Sequence, residues 1–435
     1  MLNRRKFIDM IQSGIGGSMA LTTAHSLADD WPQWRGADRT GRWLEDGIAK
    51  KLPAGQLPIV WTVPIGPGYS GPTVANGRVF VTDKQEASER VLCFSEKDGE
   101  PLWTHEYPCR YRIQYPAGPR ASVSIDQGTA FALGAMGDLH AIEAQTGKVV
   151  WHRDLNIDYK IDMPTWGISA SPLVYQDLII VHIGGSDGAC ILGLDCVSGK
   201  ERWRSLDDRA QYSAPILIRQ ANQDVVVVWT GDSVVGMDPL NGKPHWQIPF
   251  RAHKMPIGVP TPVVEGDRLF VSSFYDGSLM MRIPSDRLAA EKLWQVRGKD
   301  EKNTDALHCM IGTPLFRNGF IYGVDSYGQL RCLDAKNGKR LWENLTATPQ
   351  DRWSTIHFVQ HGEETWMLNE SGELLIAKLT PEGFEELSRS KLIDPTLPQL
   401  SRRGDRGVCW SHPAFANRHV FARSDEQLLC ANVGL

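Results

Sequence analysis

An eleven-residue stretch, AIEAQTGKVVW from Ala141 to Trp151, constrains this chain more than any other feature, because close copies of it recur in one register. They read CFSEKDGEPLW from Cys93, GLDCVSGKERW from Gly193, GMDPLNGKPHW from Gly236 and CLDAKNGKRLW from Cys332. The first position is always small (Cys93, Ala141, Gly193, Gly236, Cys332), the seventh is always Gly (Gly99, Gly147, Gly199, Gly242, Gly338), and the eleventh is always Trp. Gly in the seventh place permits the positive φ that closes a short hairpin, and the Asp, Asn, Ser or Thr residues nearby can bond the turn backbone. Each copy is therefore read as strand, tight turn, strand.

Upstream of each hairpin lies a second pair of short apolar runs split by a polar or Gly turn, as in GPTVANGRVFV, SPLVYQDLIIV, TPVVEGDRLFV and TPLFRNGFIYG. Four strands per repeat follow. Trp recurs at 61, 103, 151, 203, 246, 294 and 342, a mean spacing of roughly 47 residues that matches propeller blades and not a continuous sandwich. Six blades end at Trp103, Trp151, Trp203, Trp246, Trp294 and Trp342. A seventh, AKLTPEGFEEL, keeps Ala377 and Gly383 but ends in Leu387, and the fifth is irregular, with IPSDRLAAEKLW before Trp294 and no turn Gly. The chain stops after the third strand of an eighth, whereas PIVWTVPIG around Trp61 supplies an outer strand with no blade of its own. The expectation is all-β: one eight-bladed β-propeller of four-stranded antiparallel blades over residues 58–435, its last blade closed by the N-terminal strand, so that no sheet edge is left open.

The pattern Ala-x-Asp-x-x-Thr-Gly-Lys-x-x-Trp resembles that of pyrroloquinoline-quinone (PQQ) repeat propellers, and the resemblance covers nearly all of residues 58–435. The segment DWPQWRGADRTG, Asp30 to Gly41, is similar to the start of exported PQQ-like propellers, and residues 29–57 are read as an N-terminal extension carrying it. The resemblance implies that Trp61, Trp103, Trp151, Trp203, Trp246, Trp294 and Trp342 dock between neighbouring blades, as suits large flat residues on outer strands. Residues 1–28 look like a twin-arginine signal peptide: Arg4, Arg5, Phe7 and Ile8 fit the pattern, and Ser26-Leu27-Ala28 offers a cleavage site. Export by that route to the periplasm is expected. No Cys near the signal suggests a lipid anchor, and no other segment is apolar for the length a membrane span needs.

The formal net charge of -4, with no basic run, gives no electrostatic case for a nucleic-acid partner. Eight Cys in an exported chain would ordinarily suggest disulfides, but Cys93, Cys332 and Cys430 occupy the small first position of the repeat and read as buried free thiols. No His-Glu-x-x-His, Cys-x-x-Cys, Gly-x-Ser-x-Gly or P-loop motif occurs, and neither a catalytic residue nor a metal ligand is assigned.

The connections from each outer strand to the next inner strand gather on one face of a propeller, and here they are long and rich in Arg, His, Tyr and Trp. Tyr69, Tyr212 and Trp410 each stand three residues before the Pro that opens an inner strand, so they project similarly. With Arg110, Arg112, Arg120, Trp166, Arg251, His253, His308, Trp353 and Arg403 they make up the candidate ligand-binding set. Convergent aromatics and guanidiniums suit a small anionic or sugar ligand, a flat ligand, or a loop of a protein partner. The leading reading is an exported, monomeric, non-catalytic binding or scaffold propeller, similar in architecture to the outer-membrane assembly factor BamB family. The alternative is a PQQ-dependent quinoprotein oxidoreductase acting on alcohols or sugars, with PQQ and calcium as cofactors. Quinoprotein alcohol dehydrogenases carry a vicinal Cys pair, and no Cys-Cys dipeptide exists here.

Overall fold

A computed structural model describes residues 30–400 and 406–435; the twin-arginine segment and Arg403 lie outside them. Eight four-stranded sheets, each antiparallel, are arranged as consecutive blades. Seven blades are continuous in sequence and span 73–108, 124–154, 173–205, 216–249, 263–296, 315–344 and 356–391. The eighth joins Ala414–Ala416, His419–Arg423 and Gln427–Asn432 to the N-terminal strand Ile59–Pro64. Trp61 lies opposite Cys430 in that pairing, the same cross-strand relation that joins Cys93 to Trp103, Ala141 to Trp151, Gly193 to Trp203 and Cys332 to Trp342.

This register explains both invariant small positions of the repeat. A Cβ added at Gly193 would come within 2.2 Å of the Trp203 ring, so a large first residue would displace the indole lying across it. The seventh residue meets the Trp of the preceding blade: a Cβ on Gly99, whose φ is +75°, would lie 2.8 Å from the Trp61 ring. The indole N–H then completes the dock. Trp61 donates to Glu96 O at 2.8 Å, Trp103 to Ala144 O at 3.0 Å, Trp151 to Cys196 O at 2.8 Å and Trp294 to Ala335 O at 2.9 Å, each carbonyl belonging to the next blade's outer hairpin. Trp203 and Trp342 do the same with Pro239 O and Thr380 O.

The irregular fifth blade breaks the scheme in a compensated way. Met280 faces Trp294 where other blades place a small residue, and no hairpin carbonyl is offered to Trp246. Its indole donates instead to Gln220 Oε1 at 2.9 Å, while Gln220 Nε2 reaches Pro284 O and Ala289 O of blade five. A buried amide thus stands in for the missing turn. The eight cysteines are free, seven of them buried and Cys196 half-buried; burial pushes the Cys93 thiol up to about 12. Among the described residues no helix is long and apolar enough to cross a membrane.

Residues 30–57 are ordered against the propeller rather than trailing from it. Trp31 forms a β-bridge with Val74, Ile125 N donates to Pro32 O at 2.8 Å, and the Asp30 carboxylate accepts from Asn76 N in the inner hairpin turn of blade one. Farther along, Arg42 bridges to Gln360 in blade seven, and the Glu45 carboxylate accepts from the backbone N–H groups of Asn417 and Arg418 in the inner turn of blade eight. The segment therefore crosses the channel on the face that carries the inner hairpin turns. That face is opposite to the one bearing the long connections, because each inner strand runs from the latter to the former.

Candidate aromatic chamber in the central channel

On the face of the long connections, all eight of them converge on one chamber of about 130 Å³. The proline register noted for Tyr69, Tyr212 and Trp410 extends to seven blades. The position three residues before the residue that immediately precedes the inner strand is Tyr69, Arg120, Ser169, Tyr212, Val259, Ile311 and Trp410 in chain order, and these seven line the chamber; the connection into blade seven is out of this register and adds Trp353. Pro precedes the strand in six of the seven, while Val123 stands in its place in blade two. A side chain at this position points to the axis in each of these blades because the blades are related by rotation about it. Trp166 and Tyr115 add rings from the same connections, stacking with Tyr212 at 5.1 Å and meeting Trp353 at 5.6 Å between centroids.

The opposite end is built by the N-terminal segment. Trp34 lines the chamber, donates its indole N–H to Thr261 Oγ1 at 2.7 Å and lies 4.9 Å from the His412 ring. Arg39 is buried, and its guanidinium donates to Ser171 O at 3.1 Å, to Pro215 O at 2.9 Å and also to Pro172 O, the carbonyls where the inner strands of blades three and four begin. Burial pulls its pKa from 12.5 down to about 9, which leaves it a cation at neutral pH.

Most polar atoms of the wall already have partners. Tyr69 OH donates to Gln399 O at 3.0 Å, Tyr212 OH accepts from Trp166 N at 3.2 Å, and the Trp410 indole donates to the Glu370 carboxylate at 3.2 Å. Arg120 stacks on the Tyr69 ring at 4.8 Å, and its two terminal nitrogens donate to the carbonyls of Gly118, Gln114 and Tyr115. His357 Nε2 donates to Trp410 O at 2.8 Å. Among the described residues no Asp or Glu lines the chamber.

The remaining candidates fall elsewhere. Arg110 and Arg112 are exposed on the connection between blades one and two. Arg251, 78% exposed, reaches Asp232 at 3.3 Å, and His253 is held by Asp276. His308 turns into the protein, where Nδ1 meets Phe274 O at 2.9 Å and Nε2 accepts from Gly298 N at 3.0 Å. The sequence reading did not include Trp34, Tyr115, His357 and His412. A proline-register alignment extended two residues toward the strand would have shown His412, but nothing periodic marks Trp34.

Two buried imidazoles give the fold a pH dependence. Burial lowers both His182 and His357 from 6.5 to about 4. A histidine whose folded pKa is depressed contributes its full share of stability above 6.5 and loses it as the pH falls from there through about 4, because the unfolded chain takes up the proton first. Each group is expected to account for on the order of 3 kcal/mol over that window. Thermal unfolding followed between pH 7 and 4 should show the loss, and His357→Gln should reduce it while His182 retains its share; an unchanged slope in a folded variant contradicts the assignment.

Eight four-stranded blades locked by Trp and turn Gly, around an aromatic axis, define a PQQ-type β-propeller. The sequence model of the family described as "Outer membrane protein assembly factor BamB" matches residues 87–344, more than half of the chain, and the chain belongs to that family. Among curated relatives, the factor BamB of Burkholderia pseudomallei is 25% identical over 49% of this chain and 52% of its own length. That of Yersinia pestis is 22% identical over 62% of this chain and 66% of its own length. The chain thus spans between half and two thirds of those relatives. A quinohemoprotein alcohol dehydrogenase, ADH-IIG of Pseudomonas putida, is 26% identical over 34% of this chain and 21% of its own length. Solved structures share the fold: BamB of Moraxella catarrhalis has TM-score 0.58 at 15% identity, covering 86% of this chain and 99% of that one. Quinohemoprotein alcohol dehydrogenase of Comamonas testosteroni has TM-score 0.65 at 13% identity, covering 94% and 81%.

The quinoprotein relatives raise the question of whether the chamber fits PQQ and calcium. Its residues do not. A tricarboxylated, three-ring quinone exceeds a chamber of about 130 Å³, since a cavity of about 150 Å³ holds one benzene ring. Among the described residues Arg120 is the one guanidinium in the wall, and three of its four terminal N–H donors go to backbone carbonyls. Among the described residues no group of three His, Cys, Asp or Glu side chains is arranged to hold a metal ion, so hard oxygen ligands for calcium are lacking.

Proposed function

We propose that this chain is an exported, non-catalytic binding propeller that serves as a scaffold in the periplasm, with the face of the long connections turned toward a protein partner. The observation that carries this reading is the contrast between the two parts of that face. The axis is lined with aromatic side chains whose polar atoms are largely engaged, His412 Nε2 excepted, and among the described residues neither a nucleophile paired with a base nor a group of three metal-ligating side chains stands there. Around it stand cations without a carboxylate partner among the described residues: Arg110 and Arg112 are exposed, and Lys254 rests over the Tyr275 ring at 5.0 Å. Other arginines of the face, Arg209, Arg352 and Arg406, are paired with Asp232, Glu301 and Asp351. Unpaired cations beside an apolar centre suit an acidic protein surface. Kinship to the assembly factor BamB supports a partner in the assembly of outer-membrane proteins.

The test is affinity purification of the tagged full chain from its own cells. Co-purification of the outer-membrane assembly machinery is expected with the natural chain. It should fall by about tenfold or more when Arg110, Arg112 and Lys254 are all replaced by Glu, with the melting temperature unchanged. Undiminished capture by the triple variant rejects this face as the contact. Stoichiometric quinone binding with dye-linked oxidation of alcohols, after PQQ and calcium are added, rejects the non-catalytic reading itself.

A further inference from the structure

Resting on the reading of the chain as a binding propeller, we infer that the axial chamber is a second, separate site that takes one small uncharged aromatic molecule, of one ring or an indole. Four observations narrow the class. The volume, about 130 Å³, is close to the roughly 150 Å³ that holds a benzene in an apolar protein cavity. Trp34 from the N-terminal segment and a contiguous cluster on the loop face, in which Trp166 stacks on Tyr212 and meets Trp353 at 5.9 Å while Trp353 meets Trp410 at 6.3 Å, offer a flat guest edge and face contacts.

A sugar is excluded by hydrogen-bond supply. The hydroxyls of Tyr69 and Tyr212 and the indole N–H groups of Trp34 and Trp410 are already engaged, which leaves the buried His412 Nε2 as an unpaired atom of the wall, so most of a sugar's hydroxyls would still be buried without partners. A cation finds rings but, among the described residues, no carboxylate in the wall, and Arg120 repels it. An anion would meet the charge of Arg120 but no bidentate pair of terminal donors, since backbone carbonyls take three of the four.

The rim decides the source of the guest. Tyr115, Trp353, Tyr212 and Trp410 are each 8% exposed or less, so these rings crowd a mouth that stays partly open. A free molecule can pass on a side-chain rotation, whereas a ring attached to a peptide must also carry its backbone past them. The occupant is therefore a free aromatic molecule rather than a side chain of the partner.

Calorimetric titration of the full chain with indole and with toluene is the direct test. Saturable one-to-one binding is expected, with N-acetyltryptophanamide, indole-3-acetate, choline and glucose each weaker by about tenfold or more. Ala214, which lines the chamber and has no polar role, is the place to fill it. Ala214→Phe should weaken indole by about tenfold or more while leaving capture of the protein partner intact; Val259→Trp serves if that variant does not fold. Absence of saturable indole binding, undiminished binding by a folded, filled variant, or equal binding of N-acetyltryptophanamide overturns the inference. Partner capture is read separately, so loss of the scaffold reading and loss of the chamber assignment are distinguishable.

Discussion

Replacing Trp61 by alanine is expected to destabilise the propeller by about 4 kcal/mol, within the range for buried large aromatics, and to lower the melting temperature by several degrees. The indole is 8% exposed, lies on Gly99 of blade one, and donates to Glu96 O there at 2.8 Å. Its own strand, Ile59–Pro64, belongs to blade eight and pairs with Gln427–Asn432. The residue thus joins three things at once: the first strand of the chain, the last, and the neighbouring blade. Trp342 occupies the same repeat slot but is more exposed, and Trp342→Ala should cost distinctly less. Denaturant unfolding of both variants, with hydrogen exchange read at residues 427–432, checks the claim. Equal losses, or unchanged exchange in that strand with Trp61→Ala, would show that ring closure does not depend on this dock.

The second large effect is expected at Arg39. Arg39→Leu should destabilise by about 4 kcal/mol, since it removes a buried cation and leaves the carbonyls of Ser171, Pro172 and Pro215 without donors. An apolar replacement does not relieve this, because the acceptors belong to the backbone and remain. Arg42, exposed and tied to Gln360 through its backbone, should tolerate alanine within about 0.5 kcal/mol. Because Trp34 is held by the same segment, Arg39→Leu is also expected to raise the accessibility of the Trp34 indole to a neutral quencher such as acrylamide. A variant as stable as the natural chain would mean that water satisfies those carbonyls and that the segment is not anchored through this residue.

Much of the architecture was legible because each blade repeats a local code. Gly at the turn, a small residue opposite Trp, and Trp itself are read within eleven residues, and seven Trp positions count the blades. The missing fourth strand at the C-terminus and the surplus strand at Trp61 identified the closure. The chamber was legible where Pro marked the register, at Tyr69, Tyr212 and Trp410, and where an Arg or Trp stood out in a long connection, at Arg120, Trp166 and Trp353. Ser169, Val259 and Ile311 occupy equivalent places but have side chains that attract no notice. His308 illustrates the opposite error. It belongs to a connection of the right kind, yet its ring is bonded to Phe274 and Gly298 inside the protein.

By itself the sequence determined strands, turns, blade number and the pairing of first strand with last, since all of these follow from short-range periodicity and from the need to leave no edge unpaired. The tertiary structure alone decided that residues 30–43 enter the channel, that Trp34 becomes part of its wall, and which side chains meet at the axis. Those contacts join residues from eight blades whose mutual orientation exists only once the ring has closed, and no local pattern encodes a direction toward a centre that the unfolded chain does not have.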